Sequence, residues 1–163
     1  MELERLDEKA KKSWMISRVI ALIIVTAVLI TLRLIFAGII GNKAIIINIV
    51  ILIIIVFMGI NAFIYPKLEY SQWQYSITED SIEFIHGIFF IKHTIIPIIR
   101  IQHIKTSQGP INRKFDLSNL EIYTAGGMHE IPNLNKEKAE KISDYIKDKV
   151  HIKVTEERKG SEL

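Results

Sequence analysis

Residues Ala44 to Ile64 read AIIINIVILIIIVFMGINAFI, a run without one charged side chain. At ~1.5 Å per helical residue this run crosses a hydrocarbon core of roughly 30 Å. Isoleucine is a mediocre helix former in water, but in lipid every backbone N–H and C=O must be paired within the segment. Only a helix or a closed barrel meets that demand, and an isolated uncharged run selects the helix. On an insertion scale its ten isoleucines contribute on the order of −5 kcal/mol together, which outweighs the cost of Asn48 and Asn61.

A second apolar stretch lies just before it, from Ile16 to Ile40, interrupted by Arg18 and Arg33. The clean part between the arginines is too short to cross alone. It crosses if Trp14 marks one interface and Arg33 lifts its guanidinium toward the other, which reads Arg33 as an interfacial anchor rather than part of a transport path. The segment lacks a small-x-small exit and is followed at once by a second span, so it is expected to stay attached. Gly38 to Lys43 is a tight link with one lysine, whereas Arg5, Lys9, Lys11, Lys12 and Arg18 precede or open the first span. The positive-inside rule then places both ends of the hairpin in the cytoplasm. Tyr65 and Trp73, just past the second span, join Trp14, Arg18 and Arg33 as expected interfacial anchors.

The formal charge of +3 comes entirely from residues 1–65, and residues 66–163 balance to zero. A basic juxtamembrane segment beside a neutral domain gives no reason to expect nucleic-acid binding. Cysteine is absent, which excludes disulfides and thiolate metal sites. The five histidines (86, 93, 103, 129 and 151) are scattered without helical i,i+4 pairing, and no glycine-rich loop opens a helix. No cofactor or metal is expected.

From Gln74 to Ile131 the chain alternates short β-rich runs with turn residues. Tyr75–Thr78, Ser81–Ile85, Ile88–Ile95, Arg100–Ser107, Asn119–Thr124 and Met128–Ile131 read as strands, with His86-Gly87 and Gly126-Gly127 as tight hairpin turns. After Pro132, Asn135 is placed to cap a helix whose Ala139, Ile142, Ile146 and Val150 share one face. The expected organisation is a cytoplasmic tail over 1–15, membrane helices over 16–40 and 44–65, a cytoplasmic β domain with its helix over 66–150, and a disordered tail over 151–163.

The segment PIIRIQHIKTSQGPINRKFDL, from Pro97 to Leu117, followed by Leu120–Gly127 and Ile131-Pro132, resembles the bacterial YdbS-like, membrane-flanked PH-like domain family. The resemblance extends over nearly the whole chain, including the helical hairpin. It implies an α+β membrane protein: a two-helix transmembrane hairpin followed by a PH-like bent β-barrel of seven strands with a C-terminal capping helix. Where the family usually has glycine, this chain has Asp116, a residue that tolerates left-handed φ better than most. The family's members often occur with a longer relative carrying repeated copies of the domain, and the pair is associated with resistance to membrane-active peptides. That implies a protein partner of this kind, a homo-oligomer, or both, at the bacterial plasma membrane.

Arg100, Gln102, His103, Gln108 and Arg113 are the candidate interaction residues within the motif. Their structural alternative is that Gln108-Gly109-Pro110 forms a turn while the arginines satisfy acids or carbonyls. An enzyme built on His103, Ser107 and Asp116 lacks a nucleophile elbow or other triad context. The expectation is therefore a non-enzymatic scaffold, against two alternatives: a transport or export subunit using Arg33, and an anionic-lipid sensor using the juxtamembrane lysines with Arg113 and Lys114.

Overall fold

A computed structural model describes residues 3–41, 44–88 and 90–160. The chain divides into two units: residues 11–68, and residues 1–10 together with 69–163.

The first unit is the helical hairpin. Helix α1 runs from Lys9 to Ile35, followed by a short α2 (Ala37–Ile40), α3 (Ala44–Phe63) and α4 (Tyr65–Gln72). The first span was expected at 16–40, but the helix begins earlier. Asp7 accepts the Lys9 N–H on Oδ1 at 2.8 Å, and Lys-Ala-Lys-Lys are good helix formers that carry the turn straight into the apolar stretch. The helical path breaks at Ile64 because Pro66, in the first turn of α4, has no N–H to continue the ladder. Phe57, Ile45 and Leu34 are about two-thirds or more exposed, and the most apolar window of each helix is buried nowhere within the chain. Helices apolar on all sides and uncovered by protein find their solvent in lipid.

Among its described residues the second unit has seven strands in two antiparallel sheets. The first sheet has the order β1-β2-β3-β4, from Glu4–Arg5, Gln74–Ile77, Ser81–His86 and Lys92–Pro97. The second has the order β5-β6-β7, from Ile101–Ser107, Leu117–Thr124 and Gly127–Asn135. A short helix α5 (Pro110–Phe115) links β5 to β6, and α6 (Lys136–Gly160) closes the domain. Leu117, Leu120, Ile122, Ile131 and Leu134 of β6 and β7 are fully buried together with Ala139 and Ile146 of α6. The stripe read on α6 is thus its core face. Asn135 caps it through Oδ1, which accepts the Glu137 and Lys138 N–H groups at 3.0 and 3.4 Å.

Several boundaries differ from the sequence reading. The segment expected as a tail over 1–15 holds a strand: Glu4 pairs with Tyr75 and Arg5 with Gln74, before the chain enters the hairpin, and residues 1–2 lie outside the described residues. Leu6 is 3% exposed, and Tyr70 Oη donates to its carbonyl at 3.2 Å. The strand expected over Ile88–Ile95 begins only at Lys92. Gly87, at φ +120°, follows the end of β3, and pairing resumes at Lys92; Phe89 of the expected strand lies outside the described residues. Helix α6 does not end at 150: Lys, Glu and Arg have high helix propensity and no breaker intervenes, so the segment expected to be disordered is helical to Gly160. Residues 161–163 lie outside the described residues. Strand β7 extends past Pro132 because it is an edge strand, where a missing N–H breaks no ladder bond.

Because Leu6 is buried as part of the domain, Leu6→Ala is expected to destabilise the β domain by about 2–5 kcal/mol in chemical denaturation monitored by tryptophan fluorescence. A free N-terminal tail would give a change within about 0.5 kcal/mol.

Candidate interaction cleft at the sheet corner

The two sheets meet where β4 turns into β5. Pro97 (φ −59°, ψ 132°) leads into one turn of 3-10 helix, Ile98 to Arg100. The Ile98 N–H donates to the Asp80 carbonyl at 2.9 Å, and Ile98 and Ile101 are buried on either side of the turn. These two anchors leave Arg100 exposed between them. The next residue is also displaced: Ile101 pairs with Thr124 but His103 with Tyr123, so Gln102 is the extra residue of a β-bulge. A bulge of this type re-aims a side chain. Arg100 and Gln102 thereby border a cleft of ≈ 580 Å³ whose apolar wall is Ile95, Ile96, Pro97 and Ile99. The β6–β7 turn at Ala125-Gly126 and His129 form the opposite side.

The other candidates are dispersed. His103 stacks on Tyr123 (centroids 4.1 Å apart, 14° between planes) on the exposed face of β5 and β6. Tyr123 Oη donates to Glu121 at 2.8 Å, and Glu121 lies 3.9 Å from Lys105. Hydrogen bonds from Ser107 and Tyr123 hold the Glu121 carboxyl below its ordinary range. Gln108 supports the fold: its Nε2 donates to the Leu117 carbonyl at 2.8 Å, pinning the loop that enters α5. Arg113 lies on α5, beyond the far end of β5, a strand that at ~3.3 Å per residue is roughly 20 Å long. Asp116 ends α5 in the left-handed region (φ 57°, ψ 41°), as its stand-in role for glycine requires. Among the described residues neither Arg100 nor Arg113 forms an ion pair.

The anchor residues also separate. In the hairpin, the Arg18 guanidinium lies 4.6 Å from the Tyr65 ring centroid, and Arg33 Nε donates to Asn48 Oδ1 at 3.0 Å. The first contact joins the first half of α1 to the start of α4, and the second lies near the link between α1 and α3, so α1 and α3 run antiparallel. Trp14 lies in the first turns of α1. Trp73 is not an interfacial anchor: it is 8% exposed and stacks on His86 at 4.8 Å and Phe84 at 6.2 Å. His129 closes this aromatic row, 5.9 Å from Phe84. Burial, reinforced by Lys92, lowers the His86 pKa, which favours a neutral imidazole against the indole. The contribution of His129 to the cleft escaped the sequence reading, because only strand pairing brings residue 129 opposite residues 94–102.

A second recess, ≈ 510 Å³, lies between β2 and α6 and is lined by Glu4, Tyr75, Lys138 and Tyr145 among others. Lys138 forms an ion pair with Glu4 and lies 5.6 Å from the Tyr75 ring centroid. Burial pushes the Tyr75 phenol up to about 12, and the Lys138 hydrogen bond draws the Glu4 carboxyl below its usual 4.5. This polar cluster ties the N-terminal strand to the C-terminal helix.

Two antiparallel sheets closed by a C-terminal helix and joined to a membrane hairpin define a membrane-attached PH-like domain protein. The family profile described as "Bacterial PH domain" matches residues 15–150, and the chain belongs to that family. It is 39% identical over 87 residues to the transmembrane protein YdbS of Bacillus subtilis, a match covering 53% of this chain and 55% of that protein. It is also 32% identical over 83 residues to the transmembrane protein YdbT of the same organism, covering 48% of this chain and 17% of that protein. The chain thus matches about half the length of the first relative and a smaller share of the second. No solved structure matches it.

Because Glu4 has a depressed folded-state pKa, its stabilising contribution is complete above the unfolded value near 4.5 and is lost as pH falls through the folded value. Glu4→Gln is therefore expected to lower stability at pH 7 and to flatten the decline below pH ~4.5 in an acid series of melting temperatures. An unchanged acid limb would remove the Glu4–Lys138 tie from the account.

Proposed function

We propose that this protein is a non-enzymatic interaction module, held at the bacterial plasma membrane by its own hairpin with both termini cytoplasmic, and that it works as a subunit of a larger membrane complex. The observation that carries this reading is the corner cleft. Strand β4 is the last strand of its sheet, with β3 as its neighbour, so among the described residues its outer edge offers backbone groups to an added strand. Beside that edge lie an apolar wall, an exposed guanidinium and the bulged Gln102. An extended segment adding to β4 would gain main-chain hydrogen bonds for affinity, place an apolar side chain on the isoleucine wall and set an acidic group against Arg100.

The partner suggested by the family resemblance is a membrane protein carrying further copies of the same domain, and the matching of a short part of the longer YdbT supports that choice. A second copy of this chain is the other occupant of the same kind. Protection of the envelope against membrane-active peptides is the cellular role this complex would serve. A transport role would assign Arg33 to a polar route; its bond to Asn48 within one hairpin supports a helix-pairing role over that reading. Recognition of anionic lipid by Arg113 and Lys114 finds less support, since these two lie on a six-residue helix remote from the cleft.

A photo-crosslinking amino acid at position 102 tests the reading in intact cells. It is expected to capture a membrane protein of this family, and Arg100→Glu should reduce the yield by about tenfold, equivalent to ~1.4 kcal/mol. Absence of any cross-linked partner, together with a monomer in mild detergent, would sink the proposal.

A further inference from the structure

The loop between β3 and β4 carries large apolar side chains that nothing among the described residues of its own unit covers. Phe90 is 84% exposed and Ile91 76%, the highest exposures of large hydrophobic side chains among the described residues. Ile88 is half-buried at the loop's base, and Lys92 follows the tip at once. The chain here is tightly folded. Gly87 sits at φ +120°, and a Cβ placed on it would meet the Phe90 carbonyl oxygen at 2.0 Å.

Strand register locates this tip within the domain. Gln74 pairs with Ile85 and Arg5 with Gln74, while His86 pairs with Lys92. The loop therefore lies at the end of the first sheet where β1 leaves toward α1 and where β2 arrives from α4. The opposite end of the same sheet is charged: Glu79 and Asp80 occupy its turn and are ion-paired with Lys149 and Lys153 of α6. The exposed apolar tip and Lys92 thus lie at the end of the sheet that carries the two chain connections to the helical hairpin.

We infer that the β3–β4 loop is a membrane-inserting wedge, with Phe90 and Ile91 entering the interfacial region of the bilayer that holds the hairpin and Lys92 meeting anionic headgroups. An aromatic and a branched aliphatic side chain beside a cation is the chemistry that partitions at this depth. The tethers make the binding intramolecular, so a two-residue wedge is sufficient where it would not hold a free domain. The wedge would fix the domain's orientation on the membrane, and it stands independently of what occupies the corner cleft.

Because the chain contains no cysteine, single labelling sites are available. The full-length protein carrying Ile91→Cys, labelled with an environment-sensitive fluorophore, would be reconstituted into vesicles of equal parts phosphatidylcholine and phosphatidylglycerol. Glu79→Cys serves as the control at the opposite end of the sheet. The expected result is blue-shifted emission at 91, several-fold stronger quenching by shallow nitroxide lipids than at 79, and several-fold weaker quenching by aqueous iodide. Adding Phe90→Asp should return the signal toward the aqueous value, with circular dichroism confirming that the domain is folded. Equal iodide quenching at 91 and 79 overturns the inference, as does a blue shift without lipid quenching, which would assign the loop to a protein contact.

Discussion

The pairing of Glu4–Arg5 with Gln74–Tyr75 joins two short pieces of chain separated by the entire helical hairpin, and the β domain is complete only when they meet. Closing a loop of that length carries an entropic cost that a two-residue strand cannot offset by its own hydrogen bonds. An antiparallel helix pair lowers this cost, because packed helices return their ends to within about 8–10 Å of each other. The remaining connectors are short: Leu6 to Glu8 on one side and Trp73 on the other. Burial of Leu6, Tyr70, Trp73 and Tyr75 and the Glu4–Lys138 ion pair then hold the junction. The hairpin is therefore an insertion between the domain's first and second strands.

The same constraint gives the hairpin's polar side chains their roles. Arg33 with Asn48 near the link joins α1 to α3, and Arg18 against Tyr65 joins α1 to the start of α4, contacts that an apolar isoleucine surface cannot specify. Within the domain, the first sheet separates two surfaces: the apolar tip at Phe90 and Ile91 at one end, and the corner from Pro97 to Gln102 at the other.

Much of this was legible in the sequence wherever one residue's chemistry sufficed. The uncharged run at 44–64, the Asn135 cap and the core stripe of α6 follow from local rules, and the left-handed Asp116 from the family resemblance, in which glycine usually stands there. Features that depend on remote partners were not legible. Glu4–Arg5 carries no strand signal of its own and becomes a strand only through β2. Ile88–Ile91 has the composition of a strand, yet β3 ends before Gly87 and the ladder resumes at Lys92. Trp73 sits where an interfacial anchor is expected, but the aromatic side chains of β3 draw it into the domain. Of the candidate cleft, Arg100 and Gln102 were identified from the motif; the bulge that aims Gln102 and the approach of His129 needed the strand register.

The central claim is that the segment before the hairpin is the domain's first strand, and a disulfide trap tests it directly in a chain without cysteine. Arg5→Cys with Gln74→Cys in the full-length membrane-embedded protein is predicted to form an intramolecular disulfide readily under mild oxidation. The register-shifted pair, Arg5→Cys with Ser76→Cys, is predicted to remain largely reduced. Equal cross-linking of the two pairs, or of neither, would contradict the account.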